Sequence, residues 1–72
     1  MYKVIFWRYG KREIETVDTL AEAHRQFNFI GEYEIGFSEC ILDSENKIIR
    51  DGTENVLGIK KEKLKGTVYN FN

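Results

Sequence analysis

Tyr2-Lys3-Val4-Ile5-Phe6-Trp7-Arg8-Tyr9, then Gly10-Lys11, then Arg12-Glu13-Ile14-Glu15-Thr16-Val17, is the stretch that decides the fold. Its first part is dense in β-branched and aromatic residues and reads as a strand. Gly10 accepts the positive φ that a type II′ turn over Gly10-Lys11 needs, and Arg12 to Val17 answers as the second strand. That turn sets Tyr9 against Arg12, Arg8 against Glu13, Trp7 against Ile14 and Ile5 against Thr16. The opposite charges of Arg8 and Glu13 favour this register by roughly a few tenths of a kcal/mol.

After the hairpin, Thr19-Leu20-Ala21-Glu22 matches a capping box. Leu20, Ala23, Phe27 and Ile30 follow at spacings of three, four and three, one stripe of a 3.6-residue helix. Gly31 is placed to stop it in the left-handed conformation. A three-turn amphipathic helix is therefore expected over residues 20–30.

Period-two alternation resumes from Ile35 to Leu42. Ile35, Phe37 and Ile41 fall on one side, and Gly36, Ser38, Cys40 and Leu42 on the other. Asp43-Ser44-Glu45-Asn46 is turn chemistry, with Asn46 suited to the left-handed position that ends a three-residue hairpin loop. Lys47 to Arg50 returns as a short strand, and Asp51-Gly52-Thr53 is another turn. Val56 to Ile59 is apolar but broken by Gly58, Lys60 to Lys65 is a charge run, and Thr67 to Phe71 alternates like a strand. The order β-β-α-β-β, with a candidate fifth C-terminal strand, implies an α+β fold: a small antiparallel sheet with one helix on one face. Residues 1–72 form one domain on this reading, and residues 56–72 are the part the pattern determines least.

Composition narrows the function classes. The 72 residues are 32% charged and 42% hydrophobic, with no proline, one cysteine and one histidine. A chain so short buries about 60% of its unfolded surface and has a thin core. One cysteine excludes an internal disulfide and, with one histidine, the usual structural zinc sites. No run approaches membrane-spanning length, and Met1 to Gly10 lacks the pattern of a signal peptide, so a cytoplasmic protein without membrane contact is expected. The net charge of −1 hides a segregation. Residues 1–12 carry +4 (Lys3, Arg8, Lys11, Arg12), residues 13–59 carry −8, and residues 60–72 carry +3. Basic ends flank an acidic middle.

Catalytic chemistry finds little footing. A thiol nucleophile needs an accessible cysteine beside a base, and Cys40 and His24 are the only candidates. Cys40 reads more simply as a small apolar filler, and His24 flanks the helix stripe. The many carboxylates form no shielded pair. Asp43 to Ile48 lacks the glycine of a calcium loop, and Gly58 to Gly66 is not a phosphate-binding loop. No enzyme, metal or cofactor is expected.

Aromatic and basic residues interleave on the first hairpin, where flat rings can stack bases and Lys3, Arg8, Lys11 and Arg12 can hold a backbone. Lys60, Lys61, Lys63 and Lys65 would extend that footprint. Single-stranded nucleic-acid binding is thus the alternative reading, weakened by the acidic middle. The leading reading comes from an excess of apolar surface. Ile5, Trp7, Tyr9 and Ile14 lie on one hairpin face and Tyr2, Val4, Phe6 and Val17 on the other, yet one helix covers only one face. With the helix on the Trp7 face, the core would be Trp7, Ile14, Leu20, Phe27, Ile30, Phe37 and Ile41. Tyr2, Val4, Phe6 and Val17 would then form a protein interface, through which the chain self-associates as a homodimer.

Overall fold

A computed structural model describes residues 1–33, 36–52 and 66–69. Strands β1 (Tyr2–Arg8) and β2 (Lys11–Val17) form the first hairpin, helix α1 (Leu20–Tyr33) follows, and β3 (Gly36–Leu42) and β4 (Ile48–Asp51) complete the set. Among the described residues the sheet is four-stranded and antiparallel in the order β2-β1-β3-β4, an α+β fold. α1 lies across one face, packed mainly on β1 and β3.

The hairpin turns one residue earlier than its sequence suggests. Tyr9 and Gly10 take φ of 53° and 76°, so both central residues are left-handed, the mark of a type I′ turn. Like the expected type II′ turn, a type I′ turn matches the right-handed twist of the strands, here at the cost of placing Tyr9 at positive φ. The register is Arg8 to Lys11, Trp7 to Arg12, Phe6 to Glu13 and Ile5 to Ile14. Each β1 residue thus meets a partner two residues away from the expected one. A shift of two leaves every side chain on its own face. Arg8 still reaches Glu13 on the diagonal, with Nε donating to Oε2 at 2.9 Å and Nη2 to Oε1 at 3.2 Å.

α1 begins where the capping residues predict. The Thr19 hydroxyl accepts from the Glu22 amide at 3.1 Å and donates to its carboxylate at 3.0 Å. Gly31 does not stop the helix, which runs on to Tyr33. Ala23, Phe27 and Ile30 turn inward, but Leu20 at the first turn is largely exposed.

The helix covers the opposite face from the one expected. Val4, Phe6, Ala23, Phe27, Ile30 and Ile41 form one buried cluster, with Tyr2, Val17 and Ile49 packed against it. Tyr2, Val4, Phe6 and Val17 are therefore part of the chain's own core rather than an open face. Among the described residues β2 is an edge strand that α1 scarcely reaches, so Ile14 contributes no surface to the helix; on β1 and β3 the residues that α1 covers are Val4, Phe6 and Ile41. Trp7 is only half-buried, and Ile14 and Phe37 are exposed, so none of the three belongs to the helix-side core.

Two bulges re-phase the second half. β3 pairs Cys40 with Ile5 and Ser38 with Phe6, leaving Glu39 as an extra residue. The alternation flips there: Ser38 and Ile41 face the helix, whereas Phe37, Cys40 and Leu42 serve the other side. Ser38 is buried and satisfied, its hydroxyl donating to the Phe27 carbonyl at 2.6 Å. Ile49 is the extra residue of β4, between the Ile41–Arg50 and Leu42–Ile48 pairs. Gly52 closes the strand with its amide on the Glu39 carbonyl at 2.7 Å. A Cβ at Gly52 would overlap the Ser38 carbonyl and the Phe27 ring, so glycine is required there.

The β3–β4 loop behaves as read. Asn46 sits at φ 62°, and the Asp43 carboxylate accepts from the amides of Glu45 and Lys47. Residues 66–69 run along the outer edge of β4. Ile48 donates to Thr67 and Tyr69 to Asn46, but the ladder is an isolated Lys47–Val68 bridge and not a fifth strand. The rest of the segment assigned to that strand, Asn70 and Phe71, lies outside the described residues, as do residues 53–65.

Candidate functional site

The sheet face away from α1 carries the second buried cluster, Ile5, Cys40, Leu42 and Ile48, with Tyr69 packed against it. The turn at Asn46 and the bonds of residues 66–69 to β4 are what deliver Tyr69 to this face. Beside that cluster the surface becomes polar and aromatic. Because the bulge lets Glu39 share a face with Cys40, its carboxylate lies under three donors. Trp7 Nε1 donates to Oε1 at 2.8 Å, Arg12 Nη2 donates to Oε2 at 3.1 Å, and the Tyr69 hydroxyl donates to Oε2. The Arg12 guanidinium also lies 5.0 Å from the centre of the Tyr69 ring. The pattern of residues did not single out Glu39; its one signal was an acid interrupting an apolar strand.

Beyond Glu39 the face opens. Trp7 and Phe37 stack with ring centres 6.3 Å apart and planes 17° from parallel. Phe37 is 38% exposed and Ile14, across the sheet on β2, is 50% exposed. Tyr9, in the turn beside them, is also exposed. These side chains form the apolar surface that α1 leaves uncovered.

Among the described residues, those considered for nucleic acid are not gathered into one cationic track. Lys3 donates to Asn46 at 2.7 Å, Arg8 is paired with Glu13, and Arg12 is paired with Glu39. Lys11 is exposed at the turn. Lys60, Lys61, Lys63 and Lys65 lie outside the described residues.

Cys40 and His24 are on opposite sides of the sheet. Burial pushes the Cys40 thiol up to about 12, reinforced by the charges of Glu39 and Asp51, which is the environment of an unreactive thiol. His24 meets Arg50 instead. Arg50 Nη1 lies 2.9 Å from His24 Nδ1, which must accept because guanidinium only donates. Arg50 also donates to Asn28 at 3.0 Å and sits 3.9 Å over the Phe27 ring, tying β4 to α1.

Among the described residues no group of three or more His, Cys, Asp or Glu is placed to hold a metal ion, and no helix is long and apolar enough to cross a membrane. Comparison of the chain with protein-family models, with curated proteins and with solved structures finds no match.

Proposed function

We propose that this chain is a non-enzymatic protein–protein interaction module that self-associates through the sheet face opposite α1. The observation that carries the reading is the Trp7–Phe37 stack beside exposed Ile14, two rings and an aliphatic chain on a face the helix leaves bare. Aromatic residues set in such a face are the kind that anchor protein interfaces. The charges around the stack favour protein over nucleic acid. Arg12 is paired with Glu39, so the rings are bordered by an ion pair rather than by cations aimed at phosphate. A buried thiol as the sole cysteine suits a reducing compartment, and we assign the protein to the cytoplasm.

Self-association across a twofold axis would use each residue twice, so one substitution counts double. Sedimentation equilibrium from micromolar to millimolar concentration tests the proposal, with Phe37→Glu as the probe. A wild-type dimer that becomes monomeric on substitution supports it. A strictly monomeric wild type rejects it. Submicromolar, salt-dependent binding of a single-stranded oligonucleotide would put the alternative in its place.

A further inference from the structure

The outer edge of β2 borders a groove that the proposed self-association does not use. Arg8 and Lys11 flank the two-residue turn and are therefore a hydrogen-bonded pair. Alternate residues of β2, Glu13, Glu15 and Val17, spend their main-chain groups on β1. Arg12, Ile14 and Thr16 direct theirs outward. Among the described residues no strand lies on that side. Beside the edge, β2 and α1 enclose a groove of about 240 Å³ lined by Glu15, Val17, Glu22, Arg25, Gln26 and Phe29. The four helix residues are spaced three, one and three apart, a single stripe next to the inward one. Phe29, which is 45% exposed overall, is one of the lining residues.

We infer that β2 accepts an extended segment of another protein as a fifth strand, one that alternates basic and apolar residues. An added strand would place one set of side chains over the groove and the other beside Ile14, because neighbours on a strand point to opposite faces. Charge chooses the occupant. Glu15 and Glu22 outnumber Arg25 in the groove, leaving it acidic, whereas Glu13, the next residue of that face along β2, is already paired with Arg8. Lysine or arginine side chains meet these carboxylates and lay their carbon stems over Phe29. Apolar side chains on the other face extend the surface of Ile14.

The same charges disfavour pairing with a second copy of β2 centred at or next to Ile14. Centred antiparallel pairing on Ile14 sets Glu13 against Glu15 twice. Moving the centre by one residue sets Glu13 against Glu13 or Glu15 against Glu15. Like charges directly opposite are destabilising, and acids on an edge strand are a known defence against self-pairing.

The probe is a fluorescent decapeptide alternating valine and lysine, compared with one alternating valine and glutamate. Anisotropy titration should give binding of the lysine peptide only. Hydrogen exchange should slow at the amides of Arg12, Ile14 and Thr16, and Glu15→Lys should weaken binding about tenfold or more. Thr16→Pro removes an outward donor without breaking a bond to β1 and should abolish binding while the far-ultraviolet spectrum is kept. If Thr16→Pro unfolds the chain, Glu15→Lys decides alone. Equal binding of both peptides, no binding at millimolar concentration, unchanged exchange at those three amides, or indifference to Glu15→Lys would each overturn the inference.

Discussion

The two faces of this sheet bury similar apolar residues but are finished differently. Under α1, Val4, Phe6, Phe27, Ile30 and Ile41 pack on one another. The Ser38 hydroxyl among them is satisfied by the Phe27 carbonyl, and the Arg8 and Arg50 guanidinium groups lie over the rings of Phe6 and Phe27. On the far face, Ile5, Cys40, Leu42 and Ile48 lie next to a carboxylate that collects bonds from Trp7, Arg12 and Tyr69. The first face is closed by an element of its own chain. The second passes from core to hydrogen-bonded rim to the Trp7 and Phe37 rings along β1 and β3. A helix closes a face by area, whereas a single well-placed acid closes it by directed bonds and leaves the adjacent surface available.

Charging the closed face should have the largest effect. Phe6→Glu buries a carboxylate directly opposite Glu13, and desolvation alone should unfold a domain this small. Loss of the cooperative melt and of amide dispersion is the expected result. A folded Phe6→Glu monomer would show that this face is not the core. Next comes the rim. Glu39→Ala strips the acceptor from the Trp7 indole and the Arg12 guanidinium and should cost about 2–3 kcal/mol in urea unfolding. A cost near zero would mean that the far face needs no polar closure. Thr19→Ala removes the helix cap and should cost about 1 kcal/mol, with exchange rising first in the opening turn of α1. Ile14→Glu should be the mildest for stability, within about 0.5 kcal/mol, because its site is solvated. Its contrast with Phe6→Glu is the sharpest measure of how different the two faces are.

The element order was legible because each element carries its own signal: a 3.6 period in Ala23, Phe27 and Ile30, period two towards β3, and a density of β-branched and aromatic residues in β1. The turn at Asn46 was legible from local chemistry, since Asp43 and Asn46 act on the backbone beside them. Which face the helix covers was not. Both faces of β1 are apolar, so alternation supports either choice, and only the packing of Ala23, Phe27 and Ile30 on Val4, Phe6 and Ile41 resolves it. Phe37 was assigned to the wrong side because an alternating pattern assumes an unbroken ladder, and the bulge at Glu39 breaks it. The aromatic–basic hairpin was legible as a surface of interest. Its pairing of Arg12 with Glu39 was not, because that contact spans 27 positions in the chain.

The bulges carry one more consequence, for how the sheet comes together. In a regular ladder, sliding a strand by two residues keeps every side chain on its face, as the first hairpin's own register illustrates. β3 does not have that freedom. Its extra residue at Glu39 fits β1 in one alignment, between Ile5 and Phe6. The extra Ile49 of β4 fits β3 in one alignment, between Ile41 and Leu42. A two-residue slip at either junction sets a kinked stretch against a straight one and forfeits main-chain bonds on both sides. The central junctions of the sheet are thus keyed, like a latch with one notch. A chain that has zipped its first hairpin can dock the remaining strands in a single place.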